Sequence, residues 1–86
     1  MTLTIGSDVT VTDVDDGIIL LNERDGRYWQ LNRSGAATLR LLLDGRTTDE
    51  AAVELTRRNP NAAERARADI TRLVDALLTS RLVVRS

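Results

Sequence analysis

The spacing of apolar residues along this chain changes once, close to Asn32. Before that point apolar residues follow the two-residue period and short continuous runs of β-strands, and after it they recur at helical intervals. Strands that are grouped ahead of helices, instead of alternating with them, are typical of an α+β fold. The chain has 86 residues, enough for one small core, so we predict a single domain over residues 1–86.

Three strands are predicted in the first part of the chain, over residues 9–12, 18–21 and 27–32. Asp15-Asp16-Gly17 and Asp25-Gly26 are turn signals between them. Such short connections favour an antiparallel meander with the second strand in the middle. The first and third strands are then edges of the sheet, and each has backbone N–H and C=O groups without a partner on one side.

The third predicted strand contains both aromatic residues of the chain. Alternation places Trp29 and Leu31 on one face and Tyr28 and Gln30 on the other. We assign Trp29 and Leu31 to the core side because that pair is uniformly apolar.

The middle strand is apolar on both faces. One of these faces carries Ile19 and Leu21 and lies away from the predicted core if the other face packs on the helices. It is covered by residues 1–8, covered by a partner protein or left exposed, and docking of a partner protease there is one hypothesis.

Three helices are predicted after the strands, and local signals mark their ends. A cap at Asn32 or Ser34 opens the first, a capping box from Thr47 to Glu50 opens the second, and another from Asn61 to Glu64 opens the third. The first helix ends at Gly45 and the second before Pro60. The third, about residues 62–80, is the longest, and residues 82–84 follow it as an extended segment or short strand. The whole order resembles a winged helix-turn-helix arrangement with the sheet placed first.

The composition excludes much catalytic and metal chemistry. The chain contains no Cys and no His, so thiolate nucleophiles, disulfides, Cys-based zinc sites and imidazole acid–base catalysis are excluded. The acidic residues cluster in turns, where water solvates them, and the glycines form no phosphate-binding pattern. We therefore predict a protein that is not an enzyme and that needs no cofactor and no metal.

The charge balance argues against a general nucleic-acid binder. The chain has 12 basic and 13 acidic residues, for a net charge of −1, whereas contacts to a phosphate backbone favour a basic excess. The arginines of the last two helices keep a winged-helix DNA-binding regulator as the alternative function. Interleaved acids, including an Arg65–Asp69 pair at i,i+4, favour solvated helix faces instead.

Membrane and export signals are also missing from the sequence. No apolar run reaches the roughly 20 residues that span a bilayer, and residues 1–8 lack the pattern of a secretory signal. We predict a cytoplasmic protein with no membrane partner and no nucleic-acid partner.

The third strand gives the clearest functional signal, because it is an edge with a Trp on its inner face beside a long helix. Arg27 and Gln30 could simply protect this edge from unwanted pairing. The functional interpretation is β-augmentation, in which an extended peptide adds a further strand and places alternate side chains between the third strand and the last helix.

The segment from Gly17 to Gly45 resembles the PqqD family of small RiPP recognition elements. The likeness is strongest in Tyr-Trp-Gln-Leu-Asn (residues 28–32) with Gly35, and in Leu-Leu-Asp-Gly (residues 42–45), and it extends over residues 9–84. It implies three strands followed by three helices and a non-catalytic adaptor that binds the leader of a ribosomally synthesised precursor peptide. The chain is most similar to the stand-alone proteins of lasso-peptide pathways. The implied partners are the precursor leader peptide, a leader peptidase and the macrocyclase.

The resemblance also implies where the leader binds. It places the leader along the third strand, at Arg27, Tyr28, Trp29, Gln30 and Leu31, and against the inner face of the last helix, where the candidates are Ala66, Arg67, Asp69, Ile70, Leu73, Val74 and Leu77. No motif decides which of these helix residues contact the peptide and which belong to the core. Three functions remain open: a peptide-binding adaptor, the DNA-binding regulator, and a subunit that only stabilises an enzyme complex.

Overall fold

The computed structural model describes residues 3–85, apart from the side chain of Ala62. Met1, Thr2 and Ser86, which the predicted domain includes, lie outside the described residues. The elements are, in order, β1 (Leu3–Ile5), β2 (Val9–Val14), β3 (Gly17–Asn22), β4 (Tyr28–Asn32), α1 (Arg33–Leu43), α2 (Thr48–Arg58), a 3-10 turn (Pro60–Ala62), α3 (Ala63–Thr79) and β5 (Val83–Arg85). The predicted strands are β2, β3 and β4, the predicted helices are α1, α2 and α3, and the predicted α+β fold is confirmed.

The main sheet is antiparallel, in the order β2-β3-β4, so the second predicted strand is central. The start of β3 packs directly on the backbone of β4. At Gly17, where φ is +155°, a Cβ atom would lie 1.8 Å from the carbonyl oxygen of Leu31. Only glycine fits this close approach, which fixes the register of Gly17 opposite Asn32.

A second, two-stranded sheet joins the two ends of the chain. β1 pairs antiparallel with β5, and Leu3 lies opposite Arg85. The sequence predicts an extended segment at residues 82–84 but no strand before Val9. β1 has only three residues, and its partner lies at the other end of the chain, so no local pattern indicates the pairing.

The caps of the first two helices form as predicted. The Asn32 side chain accepts a hydrogen bond from the Gly35 N–H over 2.9 Å, so Asn32 is the cap of α1. Thr47 and Glu50 form a complete capping box at the start of α2. Gly45 follows α1 with φ +93°, the left-handed conformation that the sequence predicts.

The start of the third helix differs from the prediction. Asn61, the predicted cap, lies inside the 3-10 turn, and α3 begins at Ala63. Pro60 causes the difference, because its fixed φ suits the first position of a new helical turn and starts one before Asn61. α3 ends at Thr79, and Arg81, two residues later, has a left-handed backbone with φ 60°.

The core lies between the inner face of the sheet and the helices. Its buried side chains are those of Leu3, Ile18, Leu20, Leu31, Ala36, Leu39, Leu42, Ala51, Ile70, Val74, Leu77, Leu82 and Val83. Among residues 3–85, no helix has both the length and the apolar composition needed to cross a bilayer.

Candidate functional site

One side of β4 is free. β3 is its only strand neighbour among residues 3–85, because the sheet ends at β4. The backbone groups on the other side of β4 are therefore available to an incoming strand.

The β3–β4 hydrogen bonds decide which residues direct their backbone to this free edge. The Asn22 N–H donates to the Arg27 carbonyl over 2.8 Å, so the carbonyl of Arg27 faces β3, while its N–H donates to the Asp25 side chain. In an antiparallel ladder this orientation alternates along the strand. Trp29 therefore also bonds toward β3, whereas Tyr28 and Gln30 direct both N–H and C=O to the free edge.

The side chains of β4 alternate as the sequence predicts. Leu31 is buried and Trp29 is half-buried against the core. On the other face Tyr28 is 67% exposed, and Gln30 is also exposed. The assignment of Trp29 and Leu31 to the core side is confirmed.

A cavity of about 470 Å³ adjoins the C-terminal half of β4. β4 and the start of α1 form one side, and the end of α2 and the first half of α3 form the other. The lining residues are Gln30, Leu31, Asn32, Ser34, Gly35, Thr38, Leu55, Asn59, Arg65, Ala66, Asp69, Ile70 and Leu73. Leu31, Ala66 and Ile70 are buried and provide an apolar floor.

The cavity brings together half of the predicted site residues. Gln30, Leu31, Ala66, Asp69, Ile70 and Leu73 line it, whereas Arg27, Tyr28, Trp29, Arg67, Val74 and Leu77 do not. Val74 and Leu77 are buried in the core. Arg67 lies 2.9 Å from Asp49 and pairs with α2. Arg27, Tyr28 and Trp29 belong instead to the N-terminal half of the β4 edge.

The other cavity residues were missed by the sequence analysis. They come from the start of α1, the end of α2 and the first turn of α3, and comprise Asn32, Ser34, Gly35, Thr38, Leu55, Asn59 and Arg65. Their meeting depends on how three helices pack, and a single sequence carries no local signal for that. Asn32 and Ser34 carried signals as helix caps, and Asn32 and Gly35 belonged to the family resemblance, but none of these signals indicated a place in the site.

Several arginines of α2 and α3 are held in ion pairs. Arg57 and Arg58 lie 3.6 and 3.7 Å from Glu54. Arg72 lies 3.3 Å from Asp69, so the predicted Arg65–Asp69 pair is wrong. These exposed pairs add little to stability. They do, however, neutralise part of the positive charge that a DNA-binding helix would present to the phosphate backbone.

The outer sheet face, whose apolar residues are Val14, Ile19, Leu21 and Tyr28, stays partly open. Val14 and Leu21 are each 37% exposed. β1 pairs with β5, and its Leu3 is buried in the core instead of lying on this face. Of the three possibilities for this face, cover by residues 3–8 is therefore the one the structure disfavours.

Metal coordination has no evident basis in the described part of the chain. Residues 3–85 contain no group of three or more potential ligand side chains placed to hold an ion.

Comparison with known proteins gives the family. The model of the family described as "Coenzyme PQQ synthesis protein D (PqqD)" matches residues 17–83. The chain belongs to the PqqD family. The matched residues run from the start of β3 to the start of β5 and include the free edge and the whole cavity. The resemblance found in the sequence is confirmed. A comparison with curated proteins gives no match.

Two solved structures resemble this PqqD-family chain over almost its whole length. One, described as "Lasso peptide synthetase B1 complexed with the leader peptide", is 30% identical, with a TM-score of 0.89, and the match covers 99% of this chain and 100% of that chain. The other, "TbiB1 in Complex with the TbiA(beta) Leader Peptide", is 22% identical, with a TM-score of 0.82 and coverage of 100% and 98%. The second likeness supports the fold alone.

Proposed function

We propose that this chain is a non-catalytic adaptor that binds the leader segment of a ribosomally synthesised precursor peptide by adding it as a strand to β4 beside α3. The observation that carries the proposal is the free backbone of β4 next to a cavity with an apolar floor. Membership of the PqqD family and the similarity to a leader-bound lasso peptide synthetase B1 support it.

Backbone pairing holds the leader. Tyr28 and Gln30 together offer two N–H and two C=O groups to the incoming strand. Each of these four hydrogen bonds contributes about 0.5–1.5 kcal/mol net. Because every residue except proline has the same backbone groups, this part of the binding depends little on the leader's sequence.

Side-chain burial provides selectivity. Alternate side chains of the added strand point to the inner face of the sheet, where Leu31, Ile70 and Leu73 line the cavity. Full burial of one apolar side chain is favourable by about 1.5–3 kcal/mol. Association and ordering of a flexible leader cost at least about 4 kcal/mol. At the favourable end of these ranges, three fully buried leader residues leave a net binding free energy of about 11 kcal/mol, which corresponds to a dissociation constant of about 10 nM. Less complete burial gives micromolar or weaker binding.

The held leader is then delivered to a leader peptidase and the other maturation enzymes, including the macrocyclase, and a lasso-peptide pathway is favoured. A leader on the β4 edge leaves the outer sheet face uncovered. Leu21 and Tyr28 on that face are 37% and 67% exposed, which gives the peptidase an apolar surface to contact. We place the adaptor in the cytoplasm, where precursor peptides are synthesised.

The test uses a synthetic leader peptide from the precursor gene that we expect beside the gene of this chain. Trp29 is the only tryptophan and is half-buried next to the edge, so its fluorescence reports the titration. Amide exchange then locates the peptide. We expect new protection at the Tyr28 and Gln30 amides, while the Trp29 and Leu31 amides, already bonded to β3, change little.

Each other outcome has a distinct meaning. Binding without protection of Tyr28 and Gln30 contradicts strand addition. A leader that does not bind contradicts the adaptor function. Salt-dependent binding of double-stranded DNA in place of the leader would support the DNA-binding regulator.

A further inference from the structure

We propose, on the basis of the leader-binding function above, that Arg65 is a specificity-determining residue that selects leaders with an acidic side chain in the cavity, and that Asn59 assists it. An acidic residue here means Asp or Glu. The proposal concerns the part of the cavity formed by the end of α2 and the first turns of α3.

The first observation is that Arg65 lacks a carboxylate partner. Eight arginines of residues 3–85 form ion pairs, namely Arg24, Arg33, Arg40, Arg46, Arg57, Arg58, Arg67 and Arg72. Arg65 forms none within the same residues, and it is the arginine that lines the cavity. Its charge is therefore available to a ligand.

The second observation concerns Asp69, the carboxylate that lines the same cavity. Asp69 lies one helical turn after Arg65, at the spacing where an ion pair is expected. It accepts a hydrogen bond from Arg72 over 3.3 Å instead. The cavity therefore contains a cation that its own helix does not neutralise.

The third observation is the state of the polar side chains in the lining. Asn32 accepts the Gly35 N–H as a helix cap, and the Thr38 hydroxyl donates to the Ser34 carbonyl. Within residues 3–85, four polar side chains of the lining form no hydrogen bond, namely those of Gln30, Ser34, Asn59 and Arg65. Arg65 is the charged one, and Asn59 lies on the same side of the cavity as Arg65. Both residues flank the connection between α2 and α3, and both side chains supply N–H donors.

These donors match a carboxylate. A guanidinium binds a carboxylate through two parallel N–H···O bonds, and an amide N–H₂ can satisfy a remaining lone pair. Hydrogen bonds between charged groups are stronger than neutral ones and more selective in geometry. Apolar leader residues would occupy the floor at Leu31 and Ile70, and an acidic residue would lie at the Arg65 end.

The experiment compares Arg65→Gln with Arg57→Gln, a matched control on the preceding helix whose guanidinium pairs with Glu54 and which does not line the cavity. The probes are the synthetic leader and versions in which each Asp or Glu is changed singly to Asn or Gln. We expect Arg65→Gln to weaken binding of the unchanged leader about three- to tenfold. Arg57→Gln should change the affinity less than twofold, and Arg65→Lys should restore part of the loss.

Coupling identifies the partner. We expect one Asp→Asn or Glu→Gln change in the leader to weaken binding to the unchanged protein by the same factor as Arg65→Gln does. The same leader change should cause no further loss of affinity for Arg65→Gln. Binding to Arg65→Gln should also depend less on salt. The proposal is overturned if Arg65→Gln binds normally, or if it binds weakly but couples to no leader acid, which would indicate a contact with the leader backbone. A leader that fails to bind the unchanged protein contradicts the adaptor function instead.

Discussion

Arg81 has a backbone conformation that glycine adopts more easily. Its φ is 60°, and the hydrogen bonds from Arg81 N–H to Leu78 O (3.1 Å) and from Leu82 N–H to Leu77 O (3.0 Å) close the end of α3. The end of α1 has the same pattern of bonds around Gly45. A residue with a Cβ in this conformation costs about 1–2 kcal/mol, and the structure shows no contact that explains the arginine.

Replacing this arginine should stabilise the protein. We expect Arg81→Gly to raise the free energy of unfolding by about 0.5–1 kcal/mol, because relief of strain exceeds the added freedom of the unfolded chain. Gly45→Ala should lower it by about 1 kcal/mol at the equivalent position. Urea denaturation measures both, and a less stable Arg81→Gly would reveal a stabilising role of the arginine side chain.

Gln30 is the residue at which strand addition is most directly tested. Its N–H points to the free edge. Proline at this position therefore removes one donor that the leader would use, but it breaks no hydrogen bond between β4 and β3. We expect Gln30→Pro to weaken leader binding at least tenfold in a fluorescence titration. Gln30→Thr keeps the N–H and should bind within about twofold of the unchanged protein. Circular dichroism checks the fold, and equal affinities for the two variants would contradict pairing at β4.

At the scale of elements, the start of α2 depends on a carboxylate. The Glu50 side chain accepts the Thr47 N–H over 2.9 Å, and the Glu50 N–H donates to the Thr47 hydroxyl over 3.0 Å. The hydrogen bond from the Thr47 backbone lowers the pKa of Glu50 below its ordinary 4.5. Because the pKa of Glu50 is lower in the folded state, folding favours the ionised carboxylate. Its contribution to the free energy of unfolding is therefore complete above pH 4.5 and is lost as the pH falls through the pKa of the folded state.

This linkage predicts a pH-dependent effect of Glu50→Gln. The variant keeps a side-chain acceptor but cannot ionise. We expect the unchanged protein to be the more stable of the two near pH 7 and the difference to shrink as the pH drops below 4.5. Urea denaturation at several pH values measures it, and a difference that is constant with pH would contradict a role for the charge.

The ends of the helices show what local sequence can predict. Asn32, Thr47 and Gly45 act within one turn of their own positions, and the structure confirms all three. Asn61 fails because Pro60 starts a 3-10 turn one residue earlier, and two adjacent signals compete there. The pairing of β1 with β5 was missed because it joins residues far apart in the chain.

The candidate site was harder to predict than the fold. Ala66, Ile70, Val74 and Leu77 all lie on the inner face of α3, and the helical period treats them alike. Only the packing of α3 against α2 and α1 places Ala66 and Ile70 at the cavity, where Ile70 also joins the core, and leaves Val74 and Leu77 in the core alone. The free charge of Arg65 was hidden for the same kind of reason, because Asp69 has two arginines within one turn and sequence spacing does not decide between them.

At the scale of the whole molecule, the small sheet of β1 and β5 closes the core. Leu3 is 1% exposed, and a chain of this size has little stability to spare. We expect Leu3→Ala to lower the free energy of unfolding by about 2–4 kcal/mol. Thr4→Ala, on the exposed side of the same strand, should change it by less than about 0.5 kcal/mol. Equal urea midpoints for the two variants would show that β1 is dispensable.

The outer sheet face gives a second prediction at this scale. If the peptidase docks there, Ile19→Glu and Leu21→Glu should abolish its co-purification with the adaptor and leave leader binding intact. Val53→Glu, at a 60% exposed valine on α2, is the matched control and should retain the peptidase. Retention by all variants would place the docking surface elsewhere.

The pairing of Leu3 with Arg85 also brings the two ends of the described chain side by side. No residue of β1 or β5 lines the cavity beside β4. The fold could therefore be spliced into a surface loop of a larger enzyme through two neighbouring attachment points. As such an insert it would keep the cavity beside β4 unobstructed, and the same residues would serve a tethered module as well as a free-standing one.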